Sequence, residues 1–146
     1  MYHLEQTLVE AFTRQLTNLE VSPWGPLQLA TEFSYLRGRT DVIALTEAGE
    51  IIAFEAKLQK WRTALHQAYR NTCFAHFSYI VVPEDVAGRA IRYFAEFSRR
   101  SVGLCYPSAE GIVVLLEPPK LTPLQSRLSQ QAASLIAERN DIGATV

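Results

Sequence analysis

The run Phe77-Ser78-Tyr79-Ile80-Val81-Val82, closed by Pro83, limits the possible folds more than any other stretch of this chain. Six residues with almost no polar alternation suit a strand buried on both faces, and such strands lie mid-sheet with helices over each side. Helical periodicity is present before and after it. Leu4, Leu8, Ala11, Phe12, Leu16 and Leu19 predict an amphipathic helix over about 3–19, ended by Ser22-Pro23-Trp24-Gly25-Pro26. Trp61, Ala64, Leu65, Ala68, Tyr69 and Thr72 predict a second over about 60–75, with Arg62, His66 and Arg70 along a polar flank. Pro83-Glu84-Asp85 gives a third helix, about 84–99, a rigid start and an acidic first turn; Val86, Ala90, Tyr93, Phe94 and Phe97 keep helical spacing along it. Thr122-Pro123-Leu124-Gln125 has the form of a capping box and opens a last helix over about 123–138. Its stripe, Leu124, Leu128, Ala132, Leu135 and Ile136, is placed to cover the sheet or a second subunit.

Extended segments fall near 28–36, 40–46, 51–57, 102–106 and 111–116, and Thr46-Glu47-Ala48-Gly49-Glu50 reads as a hairpin loop between the second and third. The order is helix, three strands, helix, strand, helix, two strands, helix: an α/β chain with a mixed β-sheet flanked by helices. At 146 residues, 48% of them apolar, the chain is expected to form a single domain with a core that needs no staple. Cys73 and Cys105 have no CxxC partner and read as small core hydrophobes; His3, His66 and His76 form no metal spacing. No apolar run approaches the roughly 18 residues that span a bilayer, and the opening residues lack signal-peptide character, so a cytoplasmic location is expected.

Fourteen Lys and Arg against 15 Asp and Glu exclude nucleic-acid binding by bulk charge. The distribution is uneven. Residues 1–32 hold four acids and one base, whereas residues 89–100 hold Arg89, Arg92, Arg99 and Arg100 against Glu96 alone.

Most charges fall in loops or on polar helix flanks, but Asp41, Glu55 and Lys57 sit inside predicted strands. Glu55 and Lys57, at i and i+2, project from one face. A turn near Ala48-Gly49 places Asp41 opposite Ala56 and diagonal to Glu55 and Lys57, so two carboxylates and an amine converge at one end of the hairpin. Two facing carboxylates repel unless a cation separates them. Mg²⁺ suits the position, because it takes oxygen ligands, commonly one or two of them carboxylates, and fills its shell with water and phosphate oxygens. Such an ion holds a phosphodiester and activates water, while Lys57 can orient that water and stabilise charge on phosphorus oxygens. A plain surface salt bridge is the competing reading.

Gly38-Arg39-Thr40-Asp41-Val42-Ile43-Ala44-Leu45 followed by Ile52-Ala53-Phe54-Glu55-Ala56-Lys57 resembles the core motif of the PD-(D/E)XK nuclease superfamily, with some likeness to archaeal Holliday-junction resolvases. The resemblance spans residues 1 to about 82 and implies a restriction-endonuclease-like fold. It implies Asp41 and Glu55 as Mg²⁺ ligands, the Ala56 carbonyl as a further ligand, Lys57 as the catalytic amine and Mn²⁺ as a possible substitute metal. Thr40 stands where the motif's name has Pro. Many members add an acid from the first helix. With Leu8 at zero and 100° per residue, Glu5 falls at about 60°, inside the apolar arc, and Glu10 near 200°, so Glu5 is the expected fourth catalytic residue. Arg37 and Arg39 alternate with Asp41 and are candidate phosphate contacts. Lys60, Gln67 and Asn71 share a flank of the second helix, where some members carry Q-x-x-x-Y; here Asn71 stands at the Tyr position.

The expected function is a Mg²⁺-dependent phosphodiesterase cleaving DNA, an endonuclease, by water attack at a metal-bound phosphate. The alternative is a catalytically silent nuclease-fold module that binds nucleic acid or a partner protein. An RNA substrate stays open, with no RNP signature or basic tract to favour it. Nucleases of this family that cut both strands commonly dimerise, which implies a homodimer through the 123–138 helix.

Overall fold

The computed structural model describes residues 2, 4–36 and 38–144, the last four of these as backbone only. Arg37 and His3 lie outside the described residues. Five α-helices and six strands follow in the order α1 (Glu5–Leu16), β1 (Leu27–Tyr35), β2 (Gly38–Thr46), β3 (Ile51–Ala56), α2 (Trp61–Asn71), β4 (Phe77–Val81), α3 (Glu84–Ala90), α4 (Phe94–Arg100), β5 (Gly103–Ser108), β6 (Gly111–Leu116) and α5 (Ser126–Ala144). The strands form one sheet in sequence order, antiparallel except for β3 with β4 and β4 with β5, which are parallel. This is a mixed six-stranded sheet flanked by helices, compatible with the restriction-endonuclease-like arrangement. The apolar run forms β4, a central strand whose two parallel neighbours require the crossovers that α2 and α3–α4 provide.

Alternation along the strands separates the two covers. Val42, Ala44, Ile52, Phe54, Tyr79, Val81 and Cys105 meet Leu8, Phe12 and Leu16 of α1 on one face. Opposite them, Ile80, Val82 and Leu104 pack under α2, α3 and α4, while Ile43, Ile51 and Ala53 pack under Leu128, Ala132 and Ile136 of α5. No described helix is long and apolar enough to cross a membrane. Cys105 is buried in the core as expected, and Cys73 is half-buried.

Three helices depart from the sequence reading. α1 is shorter than 3–19, and Leu4 and Leu19 remain exposed. The third helix is not continuous: a 3-10 turn over Ile91–Tyr93 separates α3 from α4 and shifts the phase, so Val86, Ala90 and Phe97 are buried but Tyr93 and Phe94 are not. α5 begins at Ser126, three residues later than Pro123. The segment before it is tied down by Gln125 N–H to the Cys73 carbonyl and Leu121 N–H to that of His76, leaving Leu124 93% exposed. The rest of the stripe lies on the sheet, with the Asn140 amide donating to the Leu29 carbonyl and Ser129 to that of Phe74.

The hairpin register differs by one residue. Val42 lies opposite Phe54 and Leu45 opposite Ile51, so Asp41 is not opposite Ala56. Regular pairing ends at Val42. Glu32, facing this point from β1, has a φ of 59°, a left-handed conformation that side-chain-bearing residues adopt at a cost of about 1–3 kcal/mol. The break resets alternation on both strands: Ala30 and Phe33, three residues apart, join the same core, and Thr40 and Ile43, also three apart, are both fully buried.

Candidate active site

That break frees Asp41 from the ladder. Its Oδ2 accepts the Ala56 N–H at 2.8 Å, so the carboxylate folds over the end of β3 instead of standing on the strand face. β3 ends on Glu55 and Ala56, and Lys57 leaves the strand with its N–H donating to the Val81 carbonyl. Glu55 is 1% exposed and points under α2, where its Oε1 accepts from Asn71 Nδ2 at 3.0 Å. The amide oxygen of Asn71 accepts from the Tyr35 hydroxyl at 2.5 Å and from Thr40 Oγ1 at 2.9 Å. A hydrophobic residue at 40 or 71 would leave buried polar groups without partners, which costs about 1–3 kcal/mol each. Thr40, in the place of the motif's Pro, thus serves the network that orients Glu55.

The carboxyl groups of Asp41 and Glu55 line the same cavity. Burial pushes Glu55 up from 4.5 to about 8; the Asn71 hydrogen bond pulls it down, Asp41 pushes it further up, and the Arg70 guanidinium pulls it down. Burial likewise pushes Tyr35 up to about 12, against the pull of the Arg70 guanidinium. An acid held in this way takes on charge readily only when a cation joins it.

Asp41, Glu55 and Lys57 open onto a cavity of about 380 Å³. Gln67 and Arg70 of α2 form its far wall, and Glu5 and Arg39 its rim. Lys57 Nζ stands 3.6 Å from Glu5 Oε2, so α1 does bring an acid to the site, although Glu5 is half-exposed and not turned into the apolar core. Glu10 lines a neighbouring groove with Asp41 instead. Arg39 is paired with Glu32 at 3.7 Å on the surface. Lys60 lies outside the cavity: as the N-cap of α2 it is seven residues, about 10 Å along the helix, from Gln67.

Sequence reasoning missed Arg70, Tyr35 and the role of Thr40. Arg70 had a visible trace in Gly38. A Cβ there would lie 2.6 Å from Arg70 Cζ and Nη2, so the glycine makes room for the guanidinium crossing the start of β2.

Among the described residues, no three His, Cys, Asp or Glu side chains cluster closely enough to hold a metal ion by themselves. Asp41 and Glu55 supply two hard oxygen donors, a number that Mg²⁺ commonly takes from a protein, and the buried Glu55 is the group a cation would relieve. The residues fit that ion.

A scan against protein-family models finds no match, and a search of curated proteins finds none. Among solved structures, a protein of unknown function from Silicibacter pomeroyi is similar over 97% of this chain and 92% of its own, with 19% identity and a TM-score of 0.63. That likeness shows a shared fold. A repair endonuclease from Pyrococcus abyssi overlaps 82% of this chain and 50% of its own, with 18% identity and a TM-score of 0.43, a level that carries no argument about activity. The functional reading rests on the site's own residues.

Proposed function

We propose that this chain is a metal-dependent phosphodiesterase of the PD-(D/E)XK type that cleaves DNA as an endonuclease. The observation that carries the reading is the meeting of Asp41, Glu55 and Lys57 in one polar cavity, with Glu55 buried beside a second carboxyl and pushed up to about 8. Asp41, Glu55 and the Ala56 carbonyl would hold Mg²⁺, or Mn²⁺ in its place. When bound, the ion supplies Lewis acidity at a phosphate oxygen and makes water a better nucleophile.

The remaining chemistry belongs to the chain. Lys57 Nζ, steadied by Glu5, orients the attacking water and stabilises charge developing on the phosphorus oxygens. Arg70, held over Gly38, and Gln67 grip the phosphate from the α2 side, and Arg39 at the rim meets the flanking backbone. Asn71, with Tyr35 and Thr40 behind it, is a positioning residue that fixes the Glu55 carboxylate.

The test is cleavage of supercoiled plasmid and labelled branched DNA in Mg²⁺ or Mn²⁺, beside Lys57→Ala and an EDTA control. Cleavage that requires both the metal and Lys57 supports the proposal. Folded protein that leaves every substrate intact would overturn it in favour of a silent binding module.

A further inference from the structure

The charge of this chain is divided by segment in a way that its net value of −1 conceals. Residues 57–100 carry eight Lys or Arg against three Asp or Glu, and the other 102 residues carry six against twelve. The fold puts the basic segment on one face. α2, α3 and α4 pack side by side over Ile80, Val82 and Leu104, whereas α1, with Glu5 and Glu10, covers the opposite face.

Two features organise that basic face. On α2, Arg62, His66 and Arg70 are exposed and one turn apart, forming a stripe that begins at the cavity with Arg70 and ends at Arg62 about 12 Å away. At its far end is an aromatic platform. The Arg62 guanidinium lies 4.3 Å from the Trp61 ring centroid and 4.6 Å from that of Tyr93, and Glu96 pins it through two hydrogen bonds. The 3-10 turn between α3 and α4 leaves Tyr93 46% exposed and Phe94 60% exposed. Arg92 precedes them, and Arg92, Arg99 and Lys60 have no carboxylate within ion-pairing distance among the described residues. Unpaired cations beside exposed aromatic rings suit a polyanion whose bases are free to stack. A duplex keeps its bases stacked inside and must be unstacked, at a few kcal/mol per step, before Phe94 can meet one, whereas a single strand offers its bases directly.

We propose that the α2–α4 face binds single-stranded nucleic acid, with Tyr93 and Phe94 stacking on bases and Lys60, Arg92 and Arg99 contacting phosphates, and that His66 and Arg70, on the same stripe of α2, lead the strand from the platform to the cavity. The inference deepens the nuclease reading, because it gives the enzyme a substrate with an unpaired strand: a flap, a fork or a gap. Arg62, neutralised by Glu96, belongs to the platform and not to the phosphate contacts.

The experiment is fluorescence anisotropy of labelled oligo-dT, and of a duplex of equal length, in EDTA over a salt series. The parent protein should bind oligo-dT more tightly than duplex. Phe94→Ala and Tyr93→Ala should each weaken oligo-dT binding about tenfold and leave its salt dependence unchanged. The double variant Arg92→Ala/Arg99→Ala should reduce the slope of log K against log salt by about 1.4. Equal affinity for duplex and oligo-dT, or a Phe94→Ala protein that binds oligo-dT like the parent, overturns the proposal. So does sedimentation of the parent as a dimer that Phe94→Ala dissociates, since the patch would then cover a second copy. Binding in EDTA is independent of cleavage: if Lys57→Ala cuts as the parent does, the cavity assignment fails and the track is judged by its own data.

Discussion

Two glutamates, each hydrogen-bonded to a side chain of α2, have opposite fates. Glu55 meets the neutral amide of Asn71 inside the protein, and burial pushes it up to about 8. Glu96 meets the Arg62 guanidinium at the surface, which holds it below the usual carboxylate range. The contrast teaches that an acid's chemistry here depends on what α2 offers it and on how much water remains. Glu96 is already neutralised and holds a platform. Glu55 lacks a full countercharge, and in this respect it is prepared for a cation.

The sharpest way to break the comparison is to remove what surrounds Glu55. Lys57→Ala and Asp41→Ala should each lower the rate of DNA cleavage at least about a hundredfold, because each removes a group acting at the reacting phosphate. The melting temperature of Lys57→Ala should stay near the parent's, since Lys57 pairs with half-exposed Glu5, whereas Asp41→Ala should also melt a few degrees lower because the Ala56 N–H loses its acceptor. Cleavage retained at parental rate would place the chemistry elsewhere.

Asn71→Ala should give the largest loss of stability. It leaves the Tyr35 and Thr40 hydroxyls and the Glu55 carboxyl without their shared partner, a cost of about 2–4 kcal/mol that thermal melts should register as a fall of roughly 5–15 °C. Phe33→Leu, in the neighbouring core, would serve as a control for packing alone.

Asn71 also marks the limit of what the sequence made legible. Strand and helix order followed from periodicity because it depends on local patterning, and Asp41, Glu55 and Lys57 stood out as charges within apolar strands. The register did not follow. It turns on the break at Glu32 and Asp41, where a left-handed residue without glycine leaves no signature. Arg70 was hidden for a similar reason: on a helix flank it resembles any solvated base, and only the space above Gly38 betrays where its guanidinium goes. The continuous third helix was misread because apolar residues at 93 and 94 fit the period, although the 3-10 turn rotates them outward.

Glu55→Gln should sharpen the comparison through pH. Between 4.5 and about 8 the unfolded chain ionises Glu55 while the folded protein retains the proton, so the parent loses stability as pH rises through that window and is level above it. The glutamine variant, with nothing to ionise, should melt several degrees above the parent at pH 8 and alongside it at pH 4.5. It should also lose the stabilisation by Mn²⁺ that the parent gains with rising pH. His76 works in the other direction: burial lowers it, and its Nδ1 accepts the Ile51 N–H, so stability falls as pH drops below 6.5. A Glu55→Gln melt that follows the parent at every pH would show Glu55 to be as well solvated as a surface acid.

The smallest effect belongs to Glu96→Gln. Arg62 holds Glu96 below 4.5, so its contribution to stability is present above that value and lost as pH falls through the lowered one. Both partners touch water and salt screens them, which limits the change at pH 7 to roughly 2 °C and should erase it near 1 M salt. The platform would respond more than the fold, because an Arg62 freed from Glu96 regains a full charge beside Tyr93. Oligo-dT affinity should then rise and its salt dependence steepen by about 0.7, the mark of one added phosphate contact. If instead Glu96→Gln destabilised the protein as much as Asn71→Ala does, the surface pair would be carrying the fold, and the division between a buried acid kept for chemistry and an exposed one kept for shape would fail.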